Sequence, residues 1–202
     1  MRWRVGKDEK SWVDEAWTWI HAEIQPRQRV FVPAGGTPEA LYKRWQEEPS
    51  DLLKSLTLVQ LDEIITGPKQ GEFHRFFEKN LPGFMRQMEW IEDAEKTADV
   101  AILGVGVNGH VAFHEPGLAP GFCGGCVRLS EETLGYLGLG APTWGLTYGV
   151  ANFLKANKIL VLVRGERKRA VMQKALAGDR ALPITHILNH PNVTVVSDFP
   201  AE

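Results

Sequence analysis

Apolar positions along this chain follow two rhythms, and the switch between them predicts its elements. Over residues 11–25 they recur at helical spacing: Val13, Trp17, Ile20 and Ile24 share a face, Trp12 and Trp19 widen it, and Ser11 stands where an N-cap belongs. Tryptophans at this spacing read as core rather than as a binding stripe. Continuously apolar runs at 29–33, 56–61, 99–104, 158–163 and 193–197 read as buried strands, with a shorter one at 88–91. Between them, helical stretches are expected at 38–47 behind Pro38 at N1, at 72–80 with Phe73, Phe76 and Phe77 inward, at 144–156, and from Gly165-Glu-Arg-Lys168 to about Ala177. Residues 64–71 and 116–125 carry the glycine and proline punctuation of loops.

Strands alternating with helices, several of them apolar on both faces, predict a mainly parallel sheet covered on each side. The expected fold is α/β: one three-layer α/β/α Rossmann-like domain over residues 1–202, with no repeat or linker. In such sheets ligands bind beyond the carboxyl ends of the strands.

Composition narrows the partners. The 202 residues are 44% apolar and 24% charged, with a formal net charge of −2, so nothing electrostatic calls for nucleic acid or an acidic membrane. No apolar run reaches membrane-span length, and Met1-Arg2-Trp3-Arg4-Val5 lacks a signal peptide's apolar stretch, so the expected compartment is the cytoplasm. The two cysteines, Cys123 and Cys126, lie in Cys-Gly-Gly-Cys. With no second pair to complete a thiolate site and glycines unsuited to a redox helix, they read as a loop with reduced thiols. No His/Asp/Cys cluster has metal spacing, so neither metal nor cofactor is expected. The sequence leaves open whether copies form a homo-oligomer.

The strand ends carry the candidate chemistry. Gly35-Gly36-Thr37 follows a strand and heads a helix, an arrangement whose free N–H groups and dipole favour phosphate. It is neither a Walker A loop nor Gly-x-Gly-x-x-Gly. Asp62 follows the strand at 56–61 and suits a general base, or a solvated strand-end carboxylate; alternation sends Glu63 to the other face. Gly106 and Gly109 permit a tight path, with positive φ, that aims Asn108 and His110 into a cleft. There Glu115 orients the imidazole and keeps it protonatable near neutral pH. Lys168 suits a phosphate, although Arg164, Arg167 and Arg169 crowd it as on any basic surface.

Four segments, in order, resemble the glucosamine-6-phosphate deaminase / 6-phosphogluconolactonase family: Val32-Pro-Ala-Gly-Gly-Thr-Pro38, Leu61-Asp-Glu63, Gly104-Val-Gly-Val-Asn-Gly-His-Val-Ala-Phe-His-Glu-Pro-Gly117 and Gly165-Glu-Arg-Lys168. The tail from Leu188 to Asp198 is similar to that family's last strand. His-x-Ala-Phe-x-Glu-Pro looks like the deaminase branch. The resemblance implies a sugar phosphate as substrate, and aldose–ketose isomerisation with deamination of glucosamine 6-phosphate or its galacto epimer. Asp62 would shuttle a proton between C2 and C1, and His110, assisted by Glu115 and Asn108, would open the ring. Gly35, Gly36, Thr37 and Lys168 would hold the phosphate. Many deaminases carry Asp at the Asn108 position; Asn cannot act as a base. The stretch at 118–126 departs from the family's Ser-Arg segment, and 134–138 lacks an arginine that contacts phosphate. These departures keep two alternatives open, lactone hydrolysis of the 6-phosphogluconolactonase type and a non-catalytic sugar-phosphate-binding member.

Overall fold

The computed structural model describes residues 1–92 and 96–201; residues 93–95 and Glu202 of the expected 1–202 domain lie outside the described residues. The first half runs β1 (Arg2–Val5), α1 (Glu9–Glu23), β2 (Arg29–Val32), α2 (Glu39–Glu47), α3 (Asp51–Ser55), β3 (Thr57–Gln60), β4 (Asp62–Ile64), α4 (Glu72–Asn80) and β5 (Met88–Glu89). The second runs β6 (Val100–Gly104), β7 (Gly124–Arg128), α5 (Glu131–Leu137), β8 (Trp144–Tyr148), α6 (Val150–Phe153), β9 (Lys158–Val163), α7 (Arg169–Leu176), α8 (Pro183–Leu188) and β10 (Val193–Ser197).

Seven strands form one sheet in the order β1-β10-β9-β6-β2-β3-β5, every neighbouring pair parallel. Its inner strands β6 and β9 are almost wholly apolar because both of their faces are covered, whereas the edge strands β1 and β5 carry charged residues. Along β9, Ile159, Val161 and Val163 enter a core shared with Phe153, Met172 and Ile184, whereas Leu160 and Leu162 enter another with Trp12, Trp19 and Trp45. The alternation is the period-2 pleat filling two layers, which makes this the mainly parallel, helix-covered α/β fold expected. Each fully buried aliphatic side chain here contributes roughly 1.5–3 kcal/mol over exposure.

Four local expectations are corrected. The cap of α1 is Asp8; Ser11 is its reciprocal partner, donating its N–H to Asp8 Oδ1 at 2.7 Å while its Oγ accepts the Asp8 N–H at 3.1 Å. Pro38 stands at the N-cap of α2, one residue before N1. Residues 144–156 are not one helix: β8 comes first, paired antiparallel with β4 on one side and β7 on the other, and only the short α6 follows. The glycines decide this. A Cβ on Gly145 would lie 2.4 Å from the Phe113 ring and one on Gly149 2.0 Å from the Phe122 carbonyl, so close tertiary approach overrides the helical spacing of Leu146, Val150 and Phe153. The segment at 116–125 is likewise irregular only to Cys123; Gly124 opens the edge strand β7. The strands β4-β8-β7 thus make a second, antiparallel sheet, with Ile64, Phe113, Val127, Leu129 and Leu139 beneath it.

Candidate active site

The order of the main sheet dictates where a ligand fits. From β2 the chain moves outward to β3 and β5; from β6, on the other side of β2, it moves outward to β9 and β10. The connections after β2 and β6 therefore diverge, leaving a crevice at this topological switch point. A cleft of about 310 Å³ lies there. Its walls come from the turn after β2 (Gly35, Gly36, Thr37), the start of β4 (Asp62), the loop after β6 (Asn108, His110), the turn after β9 (Arg164, Arg167, Lys168) and the roof helix α5 (Glu132, Thr133, Tyr136). Seven of the eight residues singled out from the sequence line it, and the eighth, Glu115, lies directly behind.

The glycine turn builds the anion end. Gly35 has φ +100°, a conformation that glycine adopts without strain, and a Cβ at Gly35 or Gly36 would meet nothing within 4 Å, because both face open cleft. Among the described residues the N–H groups of Gly35, Gly36 and Thr37 have no acceptor. Lys168 crosses from the turn after β9 to donate its Nζ to Thr37 Oγ1 at 3.0 Å. Burial lowers the Lys168 pKa from its usual value to about 8, with Asp198 opposing that shift and Arg167 adding to it. A second cation stands beside it: Arg167 lines the cleft without an ion pair or hydrogen bond among the described residues. Arg164 also lines it, paired with Glu9, whereas Arg169 is committed to Glu166. The turn after β9 thus supplies an extra cation where 134–138, the last part of the roof helix and its C-cap, has none.

Asp62 is held from its backbone. Its carbonyl accepts Gln60 Nε2 at 2.9 Å and its position in the small sheet is fixed opposite Thr147. Asp62 is 6% exposed as a residue and lines the cleft, and its carboxylate has no hydrogen-bond or ion-pair partner among the described residues. Burial first, and the neighbouring Glu63 carboxylate second, push its pKa well above the usual carboxylate value. Glu63 points away, as alternation requires, and accepts the N–H groups of Phe73 and His74 at the start of α4.

The loop after β6 presents the imidazole. Gly109 takes φ +85°, but Gly106 serves close approach rather than positive φ: a Cβ there would sit 2.3 Å from the His110 ring. His110 Nδ1 is 3.7 Å from Glu115 Oε2 and 3.4 Å from Thr133 Oγ1. Thr133 Oγ1 in turn donates to Glu115 Oε1 at 2.5 Å. With that hydroxyl proton directed at Glu115, the Thr133 oxygen is free to accept, so the arrangement favours the proton on Nδ1 and leaves Nε2 for a ligand. Burial outweighs Glu115 and lowers the His110 pKa, with Lys168 contributing in the same sense and Glu132 opposing. The expectation that Glu115 keeps this histidine protonatable near neutral pH is therefore corrected: the desolvated ring is neutral there. Asn108 closes the loop. Its Oδ1 accepts the His110 N–H at 3.1 Å, and its Nδ2 donates to Glu115 Oε2 at 3.1 Å and Glu132 Oε2 at 3.0 Å. A carboxylate at 108 would set a third anion against those two. His114 is buried and accepts the Val150 N–H at Nδ1, a structural role.

Thr133, Glu132 and the cleft-lining Tyr136 escaped the sequence reading, which named Phe73 only as an inward residue of its helix. Their signal was Ser130-Glu-Glu-Thr133, where Ser130 caps α5 by accepting the Thr133 N–H. Among the described residues no group of three or more His, Cys, Asp or Glu side chains is placed to hold a metal ion, and Cys123 and Cys126 are free and exposed.

Comparison with known proteins gives the family and the fold. Residues 69–196 match the family described as glucosamine-6-phosphate isomerases/6-phosphogluconolactonase. A glucosamine-6-phosphate deaminase of Bacillus thuringiensis is 30% identical over 196 residues, covering 83% of this chain and 74% of the relative. One of Lactobacillus acidophilus is 28% identical over 194 residues, covering 81% and 80%. Among solved structures, a monomeric glucosamine-6-phosphate deaminase superposes with a TM-score of 0.78 at 23% identity over 98% of this chain and 97% of that one. The 6-phosphogluconolactonase of Leishmania guyanensis gives 0.77 at 16% identity over 97% and 95%. Both share the fold. The chain belongs to the glucosamine-6-phosphate isomerase/6-phosphogluconolactonase family of enzymes.

Proposed function

We propose that this chain isomerises and deaminates an amino-sugar phosphate of the glucosamine 6-phosphate or galactosamine 6-phosphate type, releasing ammonia and a ketose phosphate. The observation that carries the reading is a desolvated carboxyl group without a partner, Asp62, in the same cleft as a neutral imidazole backed by a buried carboxylate, His110 and Glu115. Gly35, Gly36 and Thr37 offer N–H groups to the phosphate, and Lys168 offers its charge. Neutral His110, its Nε2 toward the sugar, takes the O1 proton of the ring form and returns a proton to O5, opening the ring. Glu115 and Asn108 fix the loop and stabilise the imidazolium that forms in between. Asp62 takes the proton from C2 while the substrate's ammonium gives one to O1, and then delivers its proton to C1, leaving an iminium at C2. Water adding at C2 then replaces the amine, so one water is consumed for each ammonia released.

A raised native pKa suits this shuttle: the carboxylate must hold the proton taken from C2 until C1 receives it, and a carboxyl group of ordinary acidity holds a proton poorly at neutral pH. Ammonia release from glucosamine 6-phosphate and from its galacto epimer tests the reading; an active-site-intact chain that turns over neither overturns it. Lactone hydrolysis is the second reading, favoured by an imidazole that is neutral and able to activate water. Coupled assay of 6-phosphogluconolactone separates the two.

A further inference from the structure

Glu63 is left without a role by the chemistry above, yet it is among the most heavily hydrogen-bonded side chains near the cleft. One oxygen accepts the N–H of Ile64 at 2.8 Å and of Phe73 at 3.0 Å; the other accepts the His74 N–H at 2.7 Å and Gln60 Nε2 at 3.0 Å. Phe73 and His74 are the second and third residues of α4, whose N–H groups are normally met by an N-cap side chain. The residue at that cap is Gly71, at φ +73° and with no side chain to offer. Glu63 therefore caps α4 from the adjacent strand. Through that cap the strand bearing Asp62 is fastened to the helix bearing Phe73, which lines the cleft and stacks on Phe113 of the His110 loop with ring centroids 5.5 Å apart.

We propose that Glu63 is a positioning residue for the Asp62 carboxylate: it locks β4 to the start of α4 so that the carboxylate faces the cleft, and it places an anion with no cation partner behind it. The inference rests on Asp62 being the proton shuttle. Among the described residues the charge on Glu63 is met by neutral donors only. On α4, Arg75 is paired with Glu72 at 3.1 Å, and His74 lies 3.5 Å from Glu78 and is stacked on Trp90. Facing Asp62 from the other walls are His110, Glu132, Arg164, Arg167 and Lys168, none of them paired with its carboxylate. Among the described residues no cation is paired with Glu63 or with Asp62, and the repulsion between the two carboxylates adds to burial in raising the proton affinity of Asp62.

Length and charge are separable in two variants of the full chain, read by the pH profile of kcat/KM for ammonia release from glucosamine 6-phosphate and by Tm. E63Q keeps the length and removes the charge, so the acid limb set by Asp62 moves to lower pH. E63D keeps the charge but falls short of the α4 N–H groups, so the limb stays and the plateau drops about ten- to a hundredfold. A cap with no further role would lower Tm in both and leave the limb where it is. An acid limb in E63Q that coincides with wild type overturns the inference, as does a wild-type plateau in E63D, which decides the matter should E63Q fail to fold. A wild-type chain that releases no ammonia overturns the proposed function, and this inference with it; an active wild type with an unmoved limb overturns the inference alone.

Discussion

At the scale of single residues the cleft stores unfavourable electrostatics, and their signs are testable. Asp62 has a native pKa above its unfolded value, so between the two the folded state binds more protons. Its contribution to stability is therefore greatest in acid, and falls as pH rises from about 4 through the native pKa. D62N removes the penalty. It is expected to lower kcat by about 10²–10⁴-fold while raising Tm at pH 8 by roughly 2–4 °C for each kcal/mol recovered, with the difference vanishing near pH 4. Lys168 has the opposite sign: its native pKa of about 8 lies below the unfolded value, so the free enzyme loses this cation as pH passes 8. The free-enzyme profile of kcat/KM should fall through about pH 8, and K168R should remove that alkaline limb, since arginine stays charged. The positions of Asp62, His110 and Lys168 were legible in the sequence because each lies at the end of an apolar run or in the turn just beyond it. Their protonation was not: it depends on burial in the assembled cleft, which no local pattern encodes. For His110 that missing burial term reverses the reading based on Glu115 alone.

At the scale of elements, the parallel strands were legible because a strand buried on both faces leaves a continuous apolar run, as 158–163 and 99–104 do. What escaped was every element whose pattern is half a run. Residues 2–5 form the edge strand β1, with alternating Arg2 and Arg4 reaching Glu23 and Glu15. Residues 62–64 are too short to show a period, and 124–128 hide a strand beneath two glycines. The roof helix α5 is also short, and its inward residue is polar: Thr133 is buried, and its hydroxyl joins Glu115 to His110. T133V keeps the shape and removes the hydroxyl, leaving the buried Glu115 oxygen with one donor fewer. It is expected to cost about 1–3 kcal/mol in stability by thermal unfolding and on the order of tenfold or more in kcat, without a matching change in the KM set by phosphate. An unchanged kcat would mean that α5 merely covers the cleft.

At the scale of the whole molecule, the divergence of the chain at β2 and β6 turns scattered turns into one site. The glycine turn and Lys168 come from opposite sides of that crevice, residues 131 apart in sequence, and meet at 3.0 Å. Before a ligand arrives, the contact between them is one hydrogen bond from a desolvated cation to a neutral hydroxyl, a weak tie between the two sides. A phosphate group bridging the N–H groups of the turn and Lys168 would fasten them and restore the full charge on Lys168. Such a ligand binds only the folded chain, so it must stabilise the whole molecule. At a hundred times its Kd, glucose 6-phosphate, which has the phosphate without the amine, should add about 2.7 kcal/mol at pH 7, a rise in Tm of roughly 5–10 °C. The same concentration should give less at pH 9.5, where a proton must first be taken up by Lys168, and little in K168A, whose loss of one charge-assisted contact, about 1.5–3 kcal/mol, raises Kd by about one to two orders of magnitude. A Tm shift that survives both the alkaline pH and K168A would place the anion elsewhere, because no other assignment of the phosphate end makes its affinity depend on that one amine.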